Sequence, residues 1–182
     1  MRLFGLSVLV FSILLGHTMI PALPAEDVRV VLDREYFQVT RGLLRSAKKS
    51  IQMMMFEAGF YAEHPKSPSN LLIGELISAQ RRGIKVEVIL EISDRGDRTT
   101  ERNRRTGQRL SKEGVDVIYD PLFVTTHAKL LIIDGRISLL GSTNWTYYSL
   151  TRNHEVGVLI ESEEVARTLG YYFDRVKTSG HR

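Results

Sequence analysis

Beyond residue 25 the apolar positions of the chain fall into two alternating rhythms. Short apolar runs predict strands over residues 28–32, 51–56, 84–90 and 115–119. The run at 51–56 reads as a central strand covered on both faces. Helix-period segments lie between the strands. One covers 36–48 with Phe37, Leu43, Leu44 and Ala47 as its inner face. A second runs from an N-cap at Ser69 to about Arg82, where Gly83 stops it. A third starts near Thr99 or Thr100 and ends at Gly114. The remainder predicts a strand over 127–133, a turn at Asp134-Gly135-Arg136, a strand over 137–140, a short helix near Asn144, a strand over 155–160 and a closing helix after Ser162. An Asp-Gly pair between apolar runs is a strong hairpin signal. The expected fold class is α/β: one domain with a mixed β-sheet flanked by helices on both faces.

Residues 1–25 break this pattern. Arg2 precedes an apolar run, and Pro21, Pro24 and Ala25 follow it, which reads as an export signal peptide ahead of a domain at 26–182. The competing reading is an uncleaved membrane anchor through residues 3–20, close to the lower limit for spanning a bilayer. The expected location is accordingly periplasmic or secreted, or membrane-attached if the anchor holds. The chain of 182 residues has no cysteine, which excludes thiolate metal sites and cysteine nucleophiles. Its net charge of +4 permits an anionic substrate.

Chemistry concentrates between His127 and Glu155. His127 and Lys129 stand two apart on a predicted strand, so both project from one face, which Leu131 and Ile133 continue. Ala128, Leu130 and Ile132 line the other face. A histidine and a lysine heading an apolar strand are out of place unless an anion meets them. The hairpin returns the chain so that Gly141, Ser142 and Asn144 arrive beside them. Gly141 would let backbone approach a ligand closely, and a helix start at Ser142 and Asn144 would favour phosphate.

The run from His127 to Asn144 matches HxKxxxxDxxxxxxGSxN without a gap. With Ala47-Lys48-Lys49-Ser50-Ile51, Arg82-Gly83-Ile84-Lys85-Val86 and Asn153-His154-Glu155-Val156, the chain resembles the short bacterial endonucleases of the phospholipase D superfamily. That resemblance implies an αβα sandwich and a two-step, cofactor-free and metal-free reaction. His127 would attack phosphorus to form a phosphohistidine. A second histidine would protonate the leaving alcohol and then activate water. Lys129 and Asn144 would hold the non-bridging oxygens, Glu155 would hydrogen-bond the nucleophilic imidazole, and Ser142 would add a bond to substrate. Asp134, a motif member, is counted with the catalytic set, although its place in the turn points to organising the hairpin.

The reaction needs two half-sites. The other H-x-K, His64-Pro65-Lys66, lacks the Asp and Gly-Ser that should follow, and Pro65 spoils a strand. One half-site per chain implies a homodimer with two His127 residues across the dyad. His154 and His181 read as structural, and the methionine run at 53–55 as core. Trp145, Tyr147 and Tyr148 are candidates for stacking on bases, with core packing expected of at least one. The stretch holding Arg95, Arg98, Arg102, Arg104, Arg105, Arg109 and Lys112 is either a solvated helix face or a phosphate-tracking surface, with Arg102 and Arg105 the candidate substrate-binding pair. Residues 123–126 form an approach loop to the site.

Three functions follow. The leading one is an exported nuclease that cuts DNA, with RNA as a further candidate. The second is a lipid phosphodiesterase acting on head groups such as those of cardiolipin. The third is a nucleic-acid-binding protein that does not cut.

Overall fold

The computed structural model describes residues 22–182. The signal or anchor expected over 1–25 lies almost wholly outside them, and no described helix is long and apolar enough to cross a membrane. The strands are β1 (Asp27–Leu32), β2 (Ser50–Met55), β3 (Lys85–Leu90), β4 (Asp116–Tyr119), β5 (Lys129–Ile133), β6 (Ile137–Gly141) and β7 (Val156–Glu161). The helices are α1 (Glu35–Ser46), α2 (Pro68–Arg81), α3 (Arg98–Ser111), α4 (Tyr147–Thr151) and α5 (Glu163–Ser179). One 7-stranded mixed sheet has the order β1-β7-β6-β5-β2-β3-β4. Strands β2, β3 and β4 are parallel, and the other neighbours are antiparallel.

The period-2 rule explains the two cores. Met53, Met55, Leu131, Ile133 and Leu139 point to the face packed by residues of α1 to α4. Met54, Ile89, Leu130 and Ile132 point to the other face, under Ala166 and Phe173 of α5. All three methionines are fully buried, one of them on the opposite face from its neighbours.

Two of the boundaries that differ from expectation change a residue's role. Ser67, not Ser69, caps α2, with Pro68 in its first turn. Proline suits that position because its missing N–H would be unpaired there anyway. Ser69 instead turns inward and its Oγ donates to the Trp145 carbonyl at 2.7 Å. The helix expected at Ser142 and Asn144 begins only at Tyr147, where the Thr146 side chain accepts from Ser149 N–H.

Candidate active site

The starts of β5 and β7 and the ends of β2 and β6 share one edge of the sheet, and the His127 pocket opens there. A cavity of about 520 Å³ is lined by His127, Lys129, Gly141, Ser142 and Asn144, together with Leu140, Val156 and Val158. The five polar or backbone features placed together by the sequence do meet.

His127 lies just before β5 and is exposed, while Lys129 is buried. The imidazole packs against Phe56, with ring centroids 4.6 Å apart and the planes tilted by 55°. Lys129 Nζ donates to the His127 carbonyl at 2.8 Å and lies 4.8 Å from the Phe56 ring centroid. Burial pushes the Lys129 ammonium below the usual lysine value, and the Glu155 carboxylate opposes that shift.

Asn144 is held from the opposite side of the sheet edge. Glu57 N–H donates to Asn144 Oδ1 at 3.2 Å, which leaves the side-chain NH₂ as the donor available to a ligand. The loop that carries it is anchored by Trp145, fully buried, whose N–H donates to the Glu57 carbonyl at 2.9 Å. Trp145 is therefore core and not a stacking platform.

Four of the expected site residues are held by protein partners of their own. Glu155 makes no hydrogen bond to His127; Ser142 Oγ donates to it, and Asn153 Nδ2 does so at 3.1 Å. Ser142 also accepts from Val156 N–H at 3.1 Å, so its hydroxyl fixes Glu155 and β7. Gly141 is required by its own sheet: a Cβ there would stand 2.4 Å from the Val156 carbonyl oxygen. Asp134 sits at the far end of β5 in the left-handed region, φ 55°, and accepts from the N–H groups of Lys48, Lys49 and Ser50. Burial raises its pKa, but those three N–H groups outweigh burial and hold the carboxyl below the ordinary value. It pins the start of β2, at the end of β5 away from the His127 pocket.

Arg102 and Arg105 do not line the His127 pocket. Arg102 pairs with Glu57, and Arg105 faces a neighbouring groove. His64-Pro65-Lys66 is a loop, as expected. His154 is fully exposed, and His181 bridges to Tyr119.

A buried acidic pair was missed. Thr126 N–H, one residue before His127, is shared between Glu91 Oε2 at 2.6 Å and Asp120 Oδ2 at 2.9 Å. Burial and the bond to Asp120 push Glu91 up to about 8, so the pair keeps a proton near neutrality. Asn103 of α3, fully buried, donates to the Phe56 and Glu91 carbonyls at 2.7 Å each and accepts from Ala58 N–H at 2.8 Å. It ties together the exits of β2 and β3. The signal was present: two adjacent parallel strands each end in an apolar run followed by a carboxylate.

The family profile described as "Cardiolipin synthase, PLD-like domain" matches residues 41–177. The phospholipase D of Rickettsia prowazekii (strain Madrid E) is 30% identical over 129 residues, or 70% of this chain and 60% of that protein. The mitochondrial cardiolipin hydrolase of Canis lupus familiaris is 30% identical over 96 residues, 53% of this chain and 36% of that protein. The chain thus spans about 60% or less of the length of these relatives. Among solved structures, the phospholipase D family member Nuc from Salmonella typhimurium matches with a TM-score of 0.71 at 22% identity, covering 85% of this chain and 96% of that one. NucT from Helicobacter pylori matches at 0.65 with 19% identity, covering 85% and 99%. Fold, motif and the profile spanning most of the domain agree: this chain belongs to the phospholipase D-like family.

Proposed function

We propose that the chain is a metal-independent phosphodiesterase whose first substrate is DNA, acting through a phosphohistidine on His127 in a homodimeric site. The observation that carries this is the convergence of an exposed imidazole, a buried ammonium and a free amide donor in one open pocket. In the first step a His127 ring nitrogen bonds to phosphorus as the bond to the leaving alcohol breaks. A protonated His127 from a second copy gives that alcohol its proton, then takes one from water. The resulting hydroxide attacks phosphorus and frees the first imidazole. Lys129 and the Asn144 amide stabilise the charge that develops on the phosphoryl oxygens.

A second copy has a surface to meet. Val28, Val30 and Leu32 share the α5-side face of β1, and each is more than half exposed. Val156 beside Leu32 is equally bare, and it also lines the His127 pocket. An aliphatic strip that runs into an exposed half-site supports a dimer closing over it.

The lipid reading draws its support from the words "cardiolipin" in the matching profile and in one relative's name. A gel assay in excess EDTA on plasmid DNA, single-stranded DNA and RNA, run beside cardiolipin vesicles, decides between them. Cleavage of nucleic acid with vesicles intact is the expected result; vesicle turnover alone transfers the assignment to lipid. Export, to the periplasm or outside the cell, remains our reading of residues 1–25 and is tested by sequencing the mature N-terminus.

A further inference from the structure

We infer that the surface beside α3, lined by tyrosines and arginines and separate from the His127 pocket, binds single-stranded polynucleotide and guides it to that pocket. The inference deepens the nucleic-acid reading and rests on it.

Arg98, Arg102, Arg105 and Arg109 of α3 and Lys112 at its C-cap follow alternating spacings of four and three. That spacing sets all five on one face, over about 21 Å of helix. The sequence alone left open whether this was a solvated face. Two hollows on it settle the geometry. One, of about 800 Å³, is lined by Arg98 and Arg102 with Tyr61, Tyr147 and Tyr148. The other, of about 480 Å³, is lined by Arg105, Arg109 and Lys112. They meet at Tyr61, which lines both. Arg102 and Arg109 are paired with Glu57 and Glu113. Among the described residues Arg98, Arg105 and Lys112 have no acidic partner, so three cations are open to phosphate. Glu63 is the carboxylate shared by both hollows; Glu101, at the margin of the stripe, lines neither.

The aromatic side is open to solvent as well. Tyr148 is 66% exposed and Tyr147 42%, their rings edge to face at 5.6 Å. Bases offer flat faces to such rings only when they are unstacked, which selects a single strand over a duplex. Proximity links this surface to the chemistry. Asn144 lines the His127 pocket and Thr146, two residues on, lines the larger hollow. Two residues span at most about 7 Å, so the loop between them is a thin wall. A strand with one phosphate at His127 lays its next nucleotides against the tyrosines.

The test uses the full-length His127→Ala chain, which spares the probe, with fluorescence anisotropy of labelled oligothymidylates. Affinity rises from dinucleotide to hexamer to dodecamer. Tyr148→Ala and Arg98→Ala each weaken dodecamer binding by about tenfold, while Tyr148→Phe restores it. Arg98→Ala also lowers the salt slope by about 0.7. Affinity indifferent to length and to both substitutions overturns the inference. So does a result in which the two substitutions abolish sedimentation with cardiolipin vesicles but leave the dodecamer bound. Hydrolysis of bis(p-nitrophenyl) phosphate by the wild-type chain separates the two claims. Turnover without length-dependent binding sinks the strand site alone, and length-dependent binding without turnover sinks the phosphodiesterase reading alone.

Discussion

The main-chain N–H of Glu57 donates to Asn144 Oδ1 across 87 residues of sequence. This contact decides which end of the amide faces the His127 pocket. It also couples the pocket-side end of β2 to the loop after β6, so the pocket is oriented by the sheet and not by the motif alone.

Asn144→Asp keeps an acceptor for Glu57 but replaces the donor with a negative charge. The expected loss in kcat is about 10²- to 10³-fold, that of removing one preorganised donor, with Tm nearly unchanged. Steady-state kinetics on a small diester beside a thermal melt check it; a fall in Tm with intact kcat would mean that Asn144 is only structural.

Asp134 tests the opposite kind of role. Losing a charged acceptor for three N–H groups at Asp134→Ala costs about 2–3 kcal/mol of stability, while kcat below the melting range stays within about twofold. Because the folded carboxyl is held low, its stabilisation is present above the ordinary value near 3.9 and is lost as pH falls through the folded value. Urea titrations between pH 2 and 6, in wild type and variant, should converge at the acid end.

Glu91 should show the reverse sign. Its folded pKa of about 8 lies above the ordinary 4.5, so the folded state binds the extra proton and stability falls as pH rises from about 4.5 to 8. Glu91→Gln keeps the acceptor for Thr126 N–H without the titration, and the slope of unfolding free energy across that window should flatten. A slope unchanged in the variant would place the titration elsewhere.

What the sequence made legible, and what it hid, divides by range. Periodicity of two over His127 and Lys129, the Asp134-Gly135 turn and the alternation of helix and strand are local, and they place the hairpin and the sheet. Roles that depend on distant partners were not readable. Ser142 and Asn144 are both N-cap residue types, so a helix start was inferred where Thr146 provides the cap. Gly141 was ascribed to a ligand because its real neighbour, the Val156 carbonyl, comes from a strand that only the fold brings close. The Glu91–Asp120 pair needed the parallel register of β3 and β4.

Dimer closure over the β1–β7 strip predicts that Val30→Asp yields a folded monomer. Val30 is 56% exposed, so the change should alter intrinsic stability by less than about 0.5 kcal/mol, yet sedimentation should show half the mass and diester turnover should collapse. A fully active monomer would break the half-site argument.

The central claim is that His127 is the nucleophile of a metal-free phosphodiesterase. The most direct measurement is release of p-nitrophenolate from bis(p-nitrophenyl) phosphate in excess EDTA by the wild-type and His127→Ala chains. The account predicts turnover by the wild type and none above background by the variant. Equal rates for the two chains, or wild-type activity that appears only when a divalent ion is restored, would contradict it.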